Sequence, residues 1–172
     1  MSELTHDEEF SGVLDLSDAD TSGFDAMDPG KQPALVWEAT WGKTKEDSTG
    51  AMGPNVPFIN VQFKIDTGEG VKYNNRRVFN KYFPKPPEGY DADKAAKLKG
   101  SFVNFLVALG YDEAAIKAPG FTLDLSELNG KECDVVVSKQ EYPKGSGIYT
   151  NGVAGVKARS AAGAPGEGTG II

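Results

Sequence analysis

The sequence predicts an all-β domain with one main helix, and three observations carry that expectation. Three apolar runs with a period of two (34–41, 59–65 and 71–83) are separated by turn-forming segments. A stripe with spacings of three and four follows over 95–109. Two further runs of β character then lie near 133–138 and 153–159.

In the first run Leu35, Trp37, Ala39 and Trp41 alternate with Val36, Glu38 and Thr40, which assigns Trp37 to the core. Trp41, at the strand's end beside Lys43, is divided between core packing and an exposed ring platform. After a Lys/Asp/Ser/Gly loop, Ile59, Val61, Phe63 and Ile65 alternate with Asn60, Gln62 and Lys64. The Asp66–Gly70 turn leads into the third run, ended by Pro84, Pro86 and Pro87. Asp91 is placed to cap a helix whose stripe is Ala95, Leu98, Phe102, Phe105 or Leu106, and Leu109, with Gly110 as its stop. A shorter helical turn is expected at Asp112–Lys117, and Asp124–Glu127 reads as a capping turn. Three strands, a helix and two strands is the element order of a five-stranded OB-fold barrel, where the helix plugs one end. An SH3-like barrel or split β-sandwich gives a similar order without a helix of this length. The stripe then faces the core and leaves Lys94 and Lys97 in solvent.

Charge divides the chain. Residues 1–30 hold nine carboxylates and no Lys or Arg, so this acidic segment reads as largely flexible, with Phe10, Val13, Leu14, Leu16 and Phe24 as local docking points. The remaining 142 residues carry 18 basic against 16 acidic side chains, a net of +2 within a total of -7. The OB-fold domain is therefore expected over 31–159, followed by a flexible Gly/Ala-rich tail at 160–172 that ends in Ile171 and Ile172. A single Cys (Cys133), expected in the core, and a single His (His6) argue against a cysteine-cluster or His-based metal site. No catalytic constellation or phosphate loop is evident, so no enzyme activity, cofactor or metal is expected. Without an apolar span or leader, the expected location is the cytoplasm.

The segment 74–83, NNRRVFNKYF, places three cations and three rings in ten residues with no acid. Such interleaving suits a surface that stacks bases while neutralising phosphates; a half-buried strand with wet cations is the plain alternative. OB ligands cross strands two and three between the loops joining strands one to two and four to five, here about 42–55 and 139–150. The DNA-contacting set expected on this basis is Arg76, Arg77, Phe79, Lys81, Lys64, Trp41, Lys43, Tyr73, Lys139 and Tyr142. Val78 is assigned to the core, which favours Arg77, Phe79 and Lys81 as the outward group. A bulge near Asn74–Asn75 would exchange the two faces.

The runs DPGKQPALVWEATWGKTK, FINVQFKIDTGEGVKYNNRRVFNKYF, FVNFLVALG and LNGKECDVVVSKQEY, with Leu14–Ser17 ahead of them, resemble phage single-stranded-DNA-binding proteins of OB fold. The resemblance spans about residues 10–158. It implies largely sequence-independent single-stranded DNA binding in phage replication or recombination, with replication or recombination proteins as partners; homo-oligomerisation is left open. In the infected host the protein would be cytoplasmic. Bacterial relatives of this type carry an acidic C-terminal tip, whereas the acids here lie at the N-terminus, so recruitment through such a tip does not carry over. The alternative is a structural or adaptor protein whose barrel binds another protein.

Overall fold

The structure, a computed structural model, describes residues 13–18 and 25–160. Its strands are β1 (Gly30–Lys43), β2 (Pro57–Ile65), β3 (Arg77–Tyr82), β4 (Glu132–Glu141) and β5 (Tyr149–Lys157). Helices α1 (Ala92–Ala108) and α2 (Glu113–Lys117) and a 3-10 turn (Leu125–Leu128) lie between β3 and β4. The strands form one antiparallel sheet in the order β3-β2-β1-β4-β5. β1 serves two neighbours, pairing with β4 from Gly30↔Val137 to Leu35↔Glu132 and with β2 from Ala34↔Ile65 to Lys43↔Pro57. β3 and β5 are the sheet's edges; they approach each other without a ladder, and α1 packs against both.

One sheet face and α1 enclose the core. Val36, Val61, Phe63, Ile65, Val78, Val135 and Val137 are buried from the sheet, as are Phe102, Phe105, Leu106 and Leu109 from α1 and its cap. The Phe105 ring stacks on Tyr82 with centroids 4.7 Å apart and meets Phe63 edge-on at 5.8 Å, which fixes α1 to β2 and β3. The Asp91 carboxylate accepts from the Lys94 amide at 3.0 Å, and Gly110 takes the positive φ of +107° that ends the helix. Lys94 and Lys97 are exposed, as the stripe requires. Asp112 and Asp124 cap the two shorter turns through the amides of Ala115 and Ser126.

The segments flanking the sheet are tied down at Met27 and at Arg159–Ser160. Met27 is buried, and the Asn151 side chain takes both of its backbone groups: its oxygen accepts from the Met27 amide at 2.7 Å, and its nitrogen donates to the Met27 carbonyl at 2.9 Å. At the other end Ser160 donates its amide and hydroxyl to the buried Asp134 carboxylate, while Arg159 reaches Glu132, Asp66 and Asp134. Val13, Leu14 and Leu16 are exposed. The flexibility expected of the two tails, and the docking roles of Phe10, Phe24, Ile171 and Ile172, concern positions that lie outside the described residues, apart from 13–18, 25–30 and 160.

Two expectations are corrected. Trp37 is not in the core: β1 carries a bulge between Val36 and Glu38, and one extra residue reverses the parity of everything ahead of it. Ala34 and Val36 are therefore buried, Leu35 and Trp37 leave the core face, and Ala39 keeps its expected place. The third strand also starts late. Residues 71–76 form successive turns, with φ of +70° at Tyr73 and +71° at Asn75, so pairing begins only at Arg77. These turns leave the favoured assignment of faces in β3 intact: Val78 and Tyr82 are buried, and Arg77, Phe79 and Lys81 are exposed.

Candidate nucleic-acid interface

The face of β1, β2 and β3 turned away from the core is built by register. Cross-strand partners share a face, so the partners of the outward residues of β3 must also point outward. Arg77 pairs with Lys64, Phe79 with Gln62 and Lys81 with Asn60. On the far side of β2 these meet Leu35, Glu38 and Thr40. Arg77 and Lys81 stand four residues apart on one strand, about 13 Å at the usual strand rise.

Rings and cations alternate over this surface. Trp37, turned outward by the bulge and 47% exposed, lies beneath two cations: the Arg77 guanidinium 4.4 Å from its ring centroid and the Lys64 ammonium at 4.8 Å. Phe58, opposite Gly42, carries the Lys81 ammonium at 4.7 Å. Phe79 is 52% exposed and lies between these two groups, paired with Gln62. One carboxylate, Glu38, stands in the same row. Exposed cation–ring contacts contribute on the order of 0.5–1 kcal/mol each, weak enough for a stacking base to displace the cation towards its own phosphate.

The expected residues thus divide. Arg77, Phe79, Lys81 and Lys64 come together on one face. Trp41 and Lys43 lie at its far end, where Trp41 pairs with the buried Ile59 and so emerges on the core side of the sheet; the indole is 51% exposed. Arg76 and Tyr73 turn away, towards the N-terminal segment: Arg76 donates to the Asp25 carbonyl and lies over Tyr73, whose hydroxyl accepts from the Asp28 amide at 3.1 Å. Lys139 belongs to β4, not to a loop, and faces Asp28 at 3.9 Å and the Tyr149 ring at 5.2 Å. Tyr142 stands 68% exposed at the tip of the β4–β5 hairpin, which Glu141 closes by accepting from the Gly145 and Gly147 amides, both at 2.7 Å. Among the described residues no group of three or more His, Cys, Asp or Glu could hold a metal ion, and no helix is long and apolar enough to cross a membrane.

Two residues of the face were not anticipated. Trp37 was concealed by the bulge, which no local sequence feature announces. Phe58 was legible: Ile59, Val61, Phe63 and Ile65 point inward, so its position shares a face with Asn60, Gln62 and Lys64. No protein-family model matches the chain, and a search of curated proteins finds no relative.

Proposed function

We propose that the chain is a single-stranded-DNA-binding protein of the OB type, largely indifferent to sequence, serving phage DNA replication or recombination. The observation that carries the reading is the outer face of β1–β3. Three rings, Trp37 and Phe79 half exposed and Phe58 partly buried, alternate there with the cations Lys64, Arg77 and Lys81. Every base has a π-face, so such rings stack any sequence, while ammonium and guanidinium groups track the backbone. Flat rings in a row, with few base-edge readers, favour single strands over duplex.

The strand order supports the OB reading. Joining the two edges of β3-β2-β1-β4-β5 would give the ring of a closed barrel, and β3 and β5 already approach each other beside α1. The strands that carry the ligand in that fold, two and three, are those that carry most of the ring-and-cation surface. As a phage-encoded protein it would act in the host cytoplasm, with replication or recombination proteins as partners and without catalysis.

An adaptor role has its own observation, the exposed Tyr142, Ile148 and Tyr149 on the β4–β5 hairpin. Titration of labelled oligothymidylate and of a duplex of equal length decides between the readings. Single-strand binding that weakens steeply with salt supports the proposal; equal, negligible binding of both at low salt refutes it and leaves the adaptor role.

A further inference from the structure

Beyond the outer face lies a pocket that the ring-and-cation surface does not include. Trp41, Gly42, Lys43, Pro57 and Lys85 line an open cleft of about 370 Å³ at the end of the β1–β2 pair, within the size range of small-ligand clefts. Trp41 and Pro57 supply its apolar lining. Lys43 and Lys85 complete the lining, which holds no carboxylate. The Lys85 ammonium lies 5.6 Å from the Trp41 ring centroid.

Gly42 connects this pocket to the outer face. It pairs with Phe58, and a Cβ at position 42 would stand 2.8 Å from the tip of the Phe58 ring, so that ring lies directly on the glycine backbone. Trp41, the preceding residue, projects to the opposite side of β1. The Phe58 platform and the Trp41 pocket are therefore back to back across a single strand at the rim of the sheet. A chain leaving Phe58 and Lys81 has only that rim to round.

Building on the single-stranded-DNA reading, we propose that this pocket is a separate nucleotide subsite. Trp41 stacks one base of a strand that has crossed Phe58 and turned at Gly42, and Lys43 and Lys85 take the flanking phosphates. A purely apolar occupant does not account for two lysines in a lining of five residues. A free phosphate does not account for the exposed indole. A nucleotide uses both.

Two tryptophans make the test direct, because Trp37→Phe keeps a ring on the outer face and leaves Trp41 as the sole indole. Oligothymidylates of about 4 and about 16 nucleotides span the site sizes of OB-type folds. The longer one is expected to quench Trp41 emission in W37F, and the shorter to bind by anisotropy without doing so. Lys85→Ala and Trp41→Ala, made separately in the otherwise unaltered chain, should each weaken the longer oligonucleotide about fivefold or more and leave the shorter unchanged. Long-oligonucleotide binding without Trp41 quenching, with K85A and W41A equal to the parent at both lengths, overturns the subsite while the DNA-binding reading stands. Failure of the unaltered chain to bind either length overturns both.

Discussion

Replacing Phe79 and Arg77 one at a time separates the two halves of the proposed recognition. Phe79 is half exposed and Arg77 exposed, so neither truncation opens the core, and midpoints of denaturation should stay close to the parent. Phe79→Ala removes one stacking platform, on the order of 1–3 kcal/mol per base, or about 5- to 150-fold in Kd. It removes no charge, so the dependence of affinity on salt should keep its slope. Arg77→Ala removes one phosphate contact and should lower the slope of log K against log salt by about 0.7. With Lys64, Arg77 and Lys81 all engaged, the parent slope from this face is about -2. Fluorescence anisotropy of labelled oligothymidylate at stepped salt concentrations yields both quantities from one titration series. If F79A binds as tightly as the parent, or R77A keeps the parent slope, the outer face of β1–β3 is not the binding surface.

Three further outcomes test the fold beneath that face. Gly42→Ala drives a methyl group into the Phe58 ring at 2.8 Å; overpacking of this kind costs about 1–3 kcal/mol, and both the denaturation midpoint and the oligonucleotide affinity should fall. Phe105→Ala removes the ring that stacks on Tyr82 and meets Phe63, and urea denaturation should register a loss of about 3–5 kcal/mol. Alkali should unfold the protein early, because burial pushes the Cys133 thiol and the Tyr82 phenol each up to about 12. The unfolded chain releases these protons from the ordinary values of 9.0 and 10.0, so stability is complete below pH 9 and declines from there towards pH 12. Cys133→Ala should move the onset up by about one pH unit, to the range where Tyr82 alone titrates.

Much of this architecture was legible because burial on one face of a strand enforces a period of two. Ile59 to Ile65 and the alternation of Val78 with Phe79 fixed which residues of β2 and β3 point outward, and Asp91 and Gly110 bracketed α1 by capping chemistry. What escaped was set by single residues that break a period without changing composition. The bulge at Trp37 inverts half of β1, and the positive φ angles at Tyr73 and Asn75 fold the first half of the expected third strand into turns, so that β3 begins only at Arg77. Lys139 was misplaced for another reason: β4 extends to Glu141, beyond the end of its apolar run, because β5 continues to pair with it. Cross-strand hydrogen bonds hold a polar stretch in strand form where no periodicity reveals it.

Under the proposed function, the bulge serves the binding face as well as the register of β1. Without it, the parity that keeps Ala39 inside would also have turned Trp37 inward, against Phe63 and the core, leaving Arg77 and Lys64 facing each other across an unoccupied surface. Two adjacent cations of like charge would then repel, with no ring between them to share. The extra residue gives the face its largest ring at the point where its cations are closest. The same insertion lets Val36 take the buried position. The outward residues of β3 stand on a strand held by the inward packing of Val78 and Tyr82, the latter stacked on Phe105 of α1. On the proposed reading, a DNA strand laid across this face meets rings already set on the sheet, and the ordering cost of binding falls mainly on the DNA.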